Sequence, residues 1–339
     1  MVSKEEYIKY VENMLNNDKN KKEMKFLTNG YKIASILMII FGIIGAFLSF
    51  VAFLLTHGYV LIKVKVLLAR LALCGVLIII GLNRKHNHKE TLNHYRNYRE
   101  KLIEYLMQGY SYYFKRDGYI DSWKFEQSQF AKKTDCFYSS DVLAVDIPEE
   151  DGSKPRADIY IADIDAYDIN IDEEGNRTTK DVYQGMFGYA KFPYKFKCVL
   201  AINTKYKKRG LKLEKVLLED IEFNENFNVN SDNQIEARYI LTPDMMEKLK
   251  YLQSKIDNIK FLIVDHYCFI GAEDLNMFEL KKFKNNNEVA IFENLYDEID
   301  IILKIVEEMK NNDKVFVTQK KIRKSNSKKN DNKEENFQE

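Results

Sequence analysis

The stretch Ile33–Leu55, IASILMIIFGIIGAFLSFVAFLL, decides the fold because no charged residue interrupts it. About 20 consecutive apolar residues in a helix span the ~30 Å hydrocarbon core of a bilayer. A buried helix of a soluble protein is normally shorter and carries a polar stripe along one side. The stretch therefore predicts a membrane-spanning helix.

A second apolar run, Val64–Leu82, follows after a short connection, although Lys65 and Arg70 lie in its first half. Long basic side chains can extend their charges to the membrane surface, so both residues are compatible with a second span. The short connection predicts an antiparallel helical hairpin. Small residues let membrane helices approach closely. The candidates for this contact are Gly42, Ala46, Ala69, Ala72 and Gly75.

The charges that flank the hairpin predict its orientation. Lysines and arginines collect before the first run and after the second, and cytoplasmic flanks carry such an excess. These residues are Lys19, Lys21, Lys22, Lys25, Lys32, Arg84, Lys85, Lys89, Arg96, Arg99 and Lys101. We therefore expect a multi-pass protein of the bacterial cell membrane with both termini in the cytoplasm. The distance of the first run from Met1 argues against a cleaved signal peptide.

The composition of the remaining chain excludes some functions. The 339 residues carry a formal net charge of +1, without the basic excess that is typical of nucleic-acid binders. No phosphate-binding loop, dinucleotide-binding glycine motif, HExxH or GxSxG occurs. The cysteines form no CxxC pair and are typical of buried, reduced thiols in a reducing compartment. They are Cys74, Cys136, Cys198 and Cys268.

Hydrophobic periodicity predicts an α+β protein, with a membrane hairpin and helical stalk before a mainly antiparallel sheet domain with C-terminal helices. The stalk pairs a helix before the hairpin with one at Thr91–Phe114. The predicted segments are an amphipathic cytoplasmic helix (1–32), the hairpin (33–82, with spans 33–55 and 64–82), a juxtamembrane helix (83–117), a cytoplasmic α+β domain (118–312) and a disordered polar tail (313–339).

Alternation of apolar and polar residues predicts the strands of the domain, and capping signals predict its helices. The clearest strand is Ala157–Ile171, which a turn at Asp172–Asn176 connects to a returning strand at Val182–Phe187. Further strands are predicted at Phe192–Asn203, Leu211–Leu218, Ile259–Val264 and Tyr267–Ile270. One helix is predicted to begin at Thr242-Pro243-Asp244, and the last is predicted over Glu288–Met309.

The stretch Asn233–Pro243, NQIEARYILTP, resembles a signature of an uncharacterised bacterial family, the domain-of-unknown-function 3137 family. Tyr138–Asp141, Gly185–Phe196 and the two-span hairpin are similar to other parts of this family. The resemblance extends from the first membrane helix to about Met309. It implies a membrane-anchored cytoplasmic domain, and it implies no established activity, substrate or cofactor.

Two groups of residues are candidate metal ligands. His86, Glu90 and His94 recur every four residues, which places them on one helix face, and His and carboxylate groups ligate zinc. The competing interpretation is a hydrated helix below the membrane. The aspartates Asp163, Asp165, Asp168 and Asp172 are of the residue type that ligates calcium, but they lack the glycine and the final glutamate of an EF-hand. The competing interpretation is the solvent-facing side of a strand, which could form an acidic docking surface.

Three further sites are candidates for function. Cys268 and His266 resemble a nucleophile and its base, but a tight-turn position for His266 and a buried thiol at Cys268 are the favoured interpretation. Glu236 and Arg238 are expected on a strand that positions the following helix, and Arg238 is the candidate ligand-binding residue with Glu236. Arg70 could be a functional intramembrane charge, or it could extend to the membrane surface.

These observations favour a non-enzymatic, membrane-anchored interaction or regulatory module without a cofactor. Its expected partners are the lipid bilayer and other membrane proteins or a second copy, and nucleic acid is excluded. One alternative is a membrane-bound enzyme or ligand-binding domain with a site near Arg238. Another alternative is a component of an oligomeric channel, in which Arg70 would affect conductance.

Overall fold

The computed structural model describes residues 1–16, 29–55, 60–147, 157–172, 174–275, 277–278 and 288–317. The side chains at 29–32, 55, 60–63, 87–97, 288 and 291 lie outside this description. Most of the predicted disordered tail, 313–339, also lies outside the described residues. The chain divides into two compact units, Val2–Leu106 with Lys281–Phe292, and Met107–Leu280 with Glu293–Glu339.

The first unit contains the helices α1 (Lys4–Leu15), α2 (Asn29–Leu55) and α3 (Val60–Leu106). Helix α1 begins with a capping box, in which the side chains of Ser3 and Glu6 each accept a hydrogen bond from the other residue's backbone. The rings of Tyr10 on α1 and Tyr105 on α3 stack with centroids 4.0 Å apart. This contact supports the predicted stalk of two packed helices.

Two segments of this unit are long and apolar enough to cross a membrane, Ile33–Leu54 in α2 and Val64–His86 in α3. Their side chains are mostly uncovered, because only 6% and 11% of their most apolar windows are buried within the protein. A core helix of a soluble protein would instead bury most of such a window. The structure thus shows two exposed apolar helices of membrane-spanning length.

Glycines let α2 and α3 approach closely. A Cβ atom at Gly42 would lie 2.5 Å from Ile78 Cγ1, and one at Gly81 would lie 2.9 Å from the carbonyl oxygen of Ser35. Ser35, the earlier residue on α2, therefore lies beside Gly81, the later residue on α3. Antiparallel helices require this order of contacts. The prediction for Gly42 is correct. The prediction for Gly75 is wrong, because an added Cβ there would meet nothing within 4 Å.

Helix α3 is continuous from the second apolar segment to Leu106, so the juxtamembrane segment is not a separate helix. The predicted helix over Thr91–Phe114, and the segment to residue 117, extend too far. Gly109 has a φ of 91° after the helix end, a conformation that residues other than glycine rarely adopt. The following residues Ser111–Lys115 form a strand, because they pair with a strand that lies later in the chain.

The described strands of the second unit form one antiparallel nine-stranded sheet in the order β1-β2-β3-β4-β9-β8-β5-β7-β6. The strands are β1 (Ser111–Lys115), β2 (Cys136–Ile147), β3 (Ala157–Ile171), β4 (Arg177–Lys191), β5 (Leu200–Ile202), β6 (Glu214–Lys215), β7 (Val229–Ser231), β8 (Ile259–Val264) and β9 (Tyr267–Glu273). The helices are α4 (Ser122–Ser128), α5 (Ile221–Asn226), α6 (Gln234–Ile240), α7 (Pro243–Lys255) and α8 (Glu288–Asn311), with a 3-10 turn at Asp313–Val315. This architecture confirms the predicted α+β class.

Apolar residues cover both faces of the sheet. On one face, Phe187 of β4 packs against Phe125 of α4, with ring centroids 5.1 Å apart. On the other face, Phe261 of β8 lies beside Leu249 of α7 and Met309 of α8. Burial on both faces explains why β4 carries only apolar and small residues over Gly185–Tyr189.

Two predicted strands are much shorter in the structure. Only Leu200–Ile202 of the predicted Phe192–Asn203 is a strand, and only Glu214–Lys215 of Leu211–Leu218. The backbone N–H of Phe192 donates instead to His266 O, 2.8 Å away, across the end of the β8–β9 hairpin. Pro193 has no N–H to donate, so the chain leaves the sheet ladder at this point.

Candidate functional site

Glu236 and Arg238 lie on helix α6, so their prediction as strand residues is wrong. The Asn233 side chain caps this helix by accepting hydrogen bonds from the backbone N–H groups of Ile235 (3.1 Å) and Glu236 (3.2 Å). Asparagine favours this position because its short side chain reaches the first free N–H groups. The apolar residues that resemble an alternating strand instead place Ala237 and Ile240 on the buried face of the helix.

The Arg238 guanidinium holds two segments of backbone together. It donates to Gln234 O at 2.8 Å, one turn earlier, and to Leu217 O at 3.0 Å. Glu236 lies 3.6 Å from the ammonium of Lys197, a separation that makes an ion pair rather than a hydrogen bond. These contacts of Arg238 and Glu236 therefore position helix α6 against the segments that precede it. A ligand-binding role for either residue stays a prediction.

The candidate zinc ligands lie on α3, whose continuous helix places positions 86, 90 and 94 on one side. His86 is exposed, and the side chains of Glu90 and His94 lie outside the described residues. Within the described part of the chain, no three His, Cys, Asp or Glu side chains are grouped to hold a metal ion. A zinc site at these positions stays a prediction.

The aspartates of β3 do not share one solvent-exposed face. Asp163 is only 5% exposed, and its carboxylate accepts backbone hydrogen bonds from Met277 (2.8 Å) and Phe278 (2.9 Å). This carboxylate therefore fastens the segment after β9 to the sheet. The expectation of a solvent-facing row of acids is wrong at Asp163, whereas Asp165, two residues later, is exposed.

Two further acids of this group have local partners. Asp168 pairs with Lys132, and this hydrogen bond lowers the pKa of its carboxyl. Asp172 accepts hydrogen bonds from the side chain and backbone of Asn176, which lower its pKa and shape the β3–β4 turn. Both carboxylates therefore have a structural use within the protein.

His266 and Cys268 are not arranged as an activated nucleophile. Burial raises the pKa of the Cys268 thiol to about 12, so the thiol stays protonated near neutral pH. A ring nitrogen of His266, Nδ1, lies 3.2 Å from Phe192 O. Asp265, with a φ of 53°, adopts the left-handed conformation in this turn. The structure thus supports the interpretation of His266 as a turn residue and of Cys268 as a buried thiol.

A basic cleft of about 530 Å³ opens beside the end of helix α4. The Gln129 side chain is one of the lining residues, and its amide donates to Lys207 O and accepts from Lys207 N–H, both at 3.0 Å. Four lysines and one glutamate line the cleft, together with Gln129 and two apolar residues. These charged residues are Lys132, Lys133, Lys205, Lys207 and Glu126. The cleft therefore favours anionic groups.

Near the start of α4, three aromatic rings surround a buried lysine. Lys124 is 6% exposed. Its ammonium nitrogen lies 3.6 Å from the ring centroid of Tyr267, 4.0 Å from that of Trp123 and 5.3 Å from that of Tyr189. We call these four residues the aromatic pocket. Tyr267 is on β9 and Tyr189 is on β4, so these two rings come from strands far from Lys124 in the sequence.

The Lys124 ammonium has no hydrogen-bond partner among the described residues. Burial, followed by the neighbouring phenols of Tyr160 and Tyr267, raises the pKa of Tyr189 above its usual value. Sequence patterns do not predict this pocket, because its rings converge only in the folded sheet. The single available signal was the only tryptophan of the chain next to a lysine.

Comparison with known proteins identifies one family. Residues 181–311 match the family model described as "Protein of unknown function (DUF3137)", which supports the resemblance over this part of the chain. No curated protein matches the chain. A similar solved structure is the crystal structure of the mycobacterial trehalose monomycolate transport factor A, TtfA, at 11% sequence identity. The alignment covers 62% of this chain and 95% of that chain with a TM-score of 0.30, and this value establishes no shared function.

Proposed function

We propose that this chain, whose residues 181–311 belong to the DUF3137 family of proteins of unknown function, is a membrane-anchored interaction or regulatory module. The observation that carries the proposal is the exposure of two apolar helices of membrane-spanning length. Phe47 on α2 and Leu73 on α3 are 66% and 67% exposed. Water is a poor solvent for so large a contiguous apolar surface, whereas lipid is a suitable one.

The flanking charges support an orientation in which both termini lie in the cytoplasm. Arg84 and Lys85 follow the second apolar segment, and further lysines precede the first. Such residues remain preferentially on the cytoplasmic side during insertion. The second unit would then lie in the cytoplasm, where its cysteines stay reduced.

Fusions at the C-terminus test this topology. We expect a green fluorescent protein fusion to be fluorescent and an alkaline phosphatase fusion to be inactive. Both fusions should remain in the membrane pellet after an alkaline carbonate wash. Phosphatase activity, or a full-length chain in the supernatant, would contradict the proposed anchoring or orientation.

An affinity purification tests the interaction role. The full chain is crosslinked in membranes, solubilised in detergent and compared with a matched bait that consists of residues 1–106. We expect a reproducible partner, or a second copy, that the full chain captures and the hairpin bait does not. Capture of no partner by the full chain in repeated experiments would count against an interaction module.

A second candidate function is a membrane-bound ligand-binding domain. The basic cleft favours it, since about 530 Å³ lies in the range of small-molecule sites. The cleft lies beside α4 and does not include Arg238, where the sequence pattern predicts a site. A thermal-shift screen of the full chain in detergent against anionic metabolites tests this function, with a Lys205→Gln and Lys207→Gln variant as the control. Equal melting temperatures with and without every compound would contradict it.

A further inference from the structure

Lys124 is a buried cation to which the described residues supply no acceptor. The aromatic rings of Trp123, Tyr189 and Tyr267 attract its charge through their π faces. They offer no strong acceptor for its three N–H donors. Buried charged groups in proteins are nearly always both paired and hydrogen-bonded. The missing acceptor is therefore a feature that the described residues do not explain.

We propose that the aromatic pocket binds an oxyanion, a phosphate or carboxylate group, which accepts hydrogen bonds from the Lys124 ammonium. The inference does not depend on membrane anchoring, because all four pocket residues belong to the second unit. An anion at this position would complete the coordination of the ammonium. It would also turn a costly buried charge into a charge-assisted pair.

Trp123 is the removable cover of the pocket. Its side chain is 48% exposed, and its indole N–H donates to Asp121 Oδ2 at 3.2 Å, a neighbour on the same short segment. In this proposal, rotation of the indole about its side-chain bonds gives the anion access to the ammonium.

The walls of the pocket offer further donors. Tyr160 stacks on Tyr189 with centroids 4.9 Å apart, and Tyr189 meets Tyr267 edge-on at 6.2 Å. These three phenols are partly exposed, and the described residues give their hydroxyl groups no hydrogen-bond partner. Phenolic O–H groups donate well to phosphate and carboxylate oxygens. The same rings can pack against an apolar or aromatic group that carries the anion.

Charged groups around the pocket are mixed in sign. Lys195 and Lys208 lie 2.9 and 3.7 Å from Asp265, in the turn that leads into Tyr267. The carboxylates of Asp121 and Asp158 also act on Tyr189, and they contribute to its raised pKa. Neither of these two carboxylates pairs with the Lys124 ammonium. The ammonium is therefore the centre of positive charge to which an anion would bind.

The anion has two possible sources with the same chemistry, a free metabolite and the headgroup of an anionic lipid. The full chain is purified in a zwitterionic detergent and titrated with inorganic phosphate and with succinate. In a second arm, the chain is placed in nanodiscs of phosphatidylcholine with increasing phosphatidylglycerol. Trp123 is the only tryptophan of the chain, so its emission reports on the pocket directly.

We expect a saturable red shift of Trp123 emission in at least one arm, because the indole leaves the ammonium for water. The midpoint should rise at least tenfold in Lys124→Met and less than threefold in Lys124→Arg, which keeps the charge. A matched control, Lys205→Gln in the neighbouring basic cleft, should leave the midpoint within twofold. Saturation by phosphate or succinate indicates a free ligand, and saturation by phosphatidylglycerol alone indicates a lipid headgroup.

A second measurement needs no substitution at Lys124. Acetylation with a limiting amine-reactive reagent, mapped by mass spectrometry, should show a change in the modification of Lys124 on addition of the same anion and no change at Lys205, because the anion alters the surroundings of the buried Lys124 alone. The absence of a saturable response in all three titrations would overturn the proposal. An equal response in a folded Lys124→Met variant, or an equal change in the modification of both lysines, would also overturn it.

Discussion

Replacement of Asp163 should destabilise the second unit strongly. Its buried carboxylate accepts hydrogen bonds from the backbone N–H groups of Met277 and Phe278 at 2.8 and 2.9 Å. A hydrogen bond to a charged acceptor contributes about 1.5–3 kcal/mol, and a buried donor without an acceptor adds a cost of the same order. Asp163→Ala removes both bonds, so we expect a loss of about 3–5 kcal/mol of unfolding free energy. Asp163→Asn keeps one acceptor oxygen and should lose about 1–3 kcal/mol.

The assay is thermal unfolding of the full chain in detergent, followed by Trp123 emission. For a unit of this size, 1 kcal/mol corresponds to roughly 2–4 °C, so Asp163→Ala should melt about 6–20 °C lower. Asp165→Asn is the matched control because Asp165 is an exposed acid two residues along the same strand. It should melt within about 2 °C of the native chain. Equal melting of Asp163→Ala and Asp165→Asn would refute the reasoning that the Asp163 carboxylate fastens this segment.

Three further predictions concern single groups. Gly185→Ala should cost about 3 kcal/mol or more in unfolding free energy, because its φ is 149° and an added Cβ would lie 2.2 Å from a carbonyl oxygen of β9; unchanged chemical denaturation would contradict this. Burial raises the pKa of the Cys268 thiol to about 12, so Cys268 should resist iodoacetamide at pH 8 while the half-buried Cys136 reacts. Mass spectrometry of the native chain measures this, and a faster reaction at Cys268 would disprove it. The ion pair with Lys195 lowers the pKa of the Asp265 carboxyl. The stabilisation from this ion pair is therefore present above the unfolded pKa of about 4 and is lost as the pH falls through the lower folded pKa. Lys195→Gln should flatten this part of the profile of melting temperature against pH, and an unaltered profile would argue against the ion pair.

Local patterns in the sequence predicted the elements that local physics determines. The strand Ala157–Ile171 has the predicted bounds, and the alternating residues Ala157, Ile159 and Ile161 at its start are buried. The helix after Thr242 begins where predicted, because the Thr242 hydroxyl accepts from Met245 N–H and Pro243 fits the first helical position. The hairpin around Asp265 also follows from adjacent residues.

The predictions that failed depend on contacts between distant parts of the chain. Helix α6 has only seven residues, so its apolar residues resemble the alternation of a strand although Asn233 caps a helix. The end of α3 and the start of β1 are set by pairing with β2. Burial of Asp163 depends on a segment more than a hundred residues later. The aromatic pocket likewise combines α4 with β4 and β9, which no sequence spacing indicates.

The most direct test of membrane anchoring is the depth of the hairpin in a bilayer. Phe47, which is 66% exposed at the middle of α2, is replaced by tryptophan in a Trp123→Phe background, and the chain is reconstituted with lipids that carry brominated acyl chains. We predict strong quenching of the new tryptophan, because bromine quenches only fluorophores within the hydrocarbon region, and little quenching of Trp123 in the native chain. Unquenched emission at position 47 in vesicles that contain the full chain would contradict a hairpin that lies in lipid.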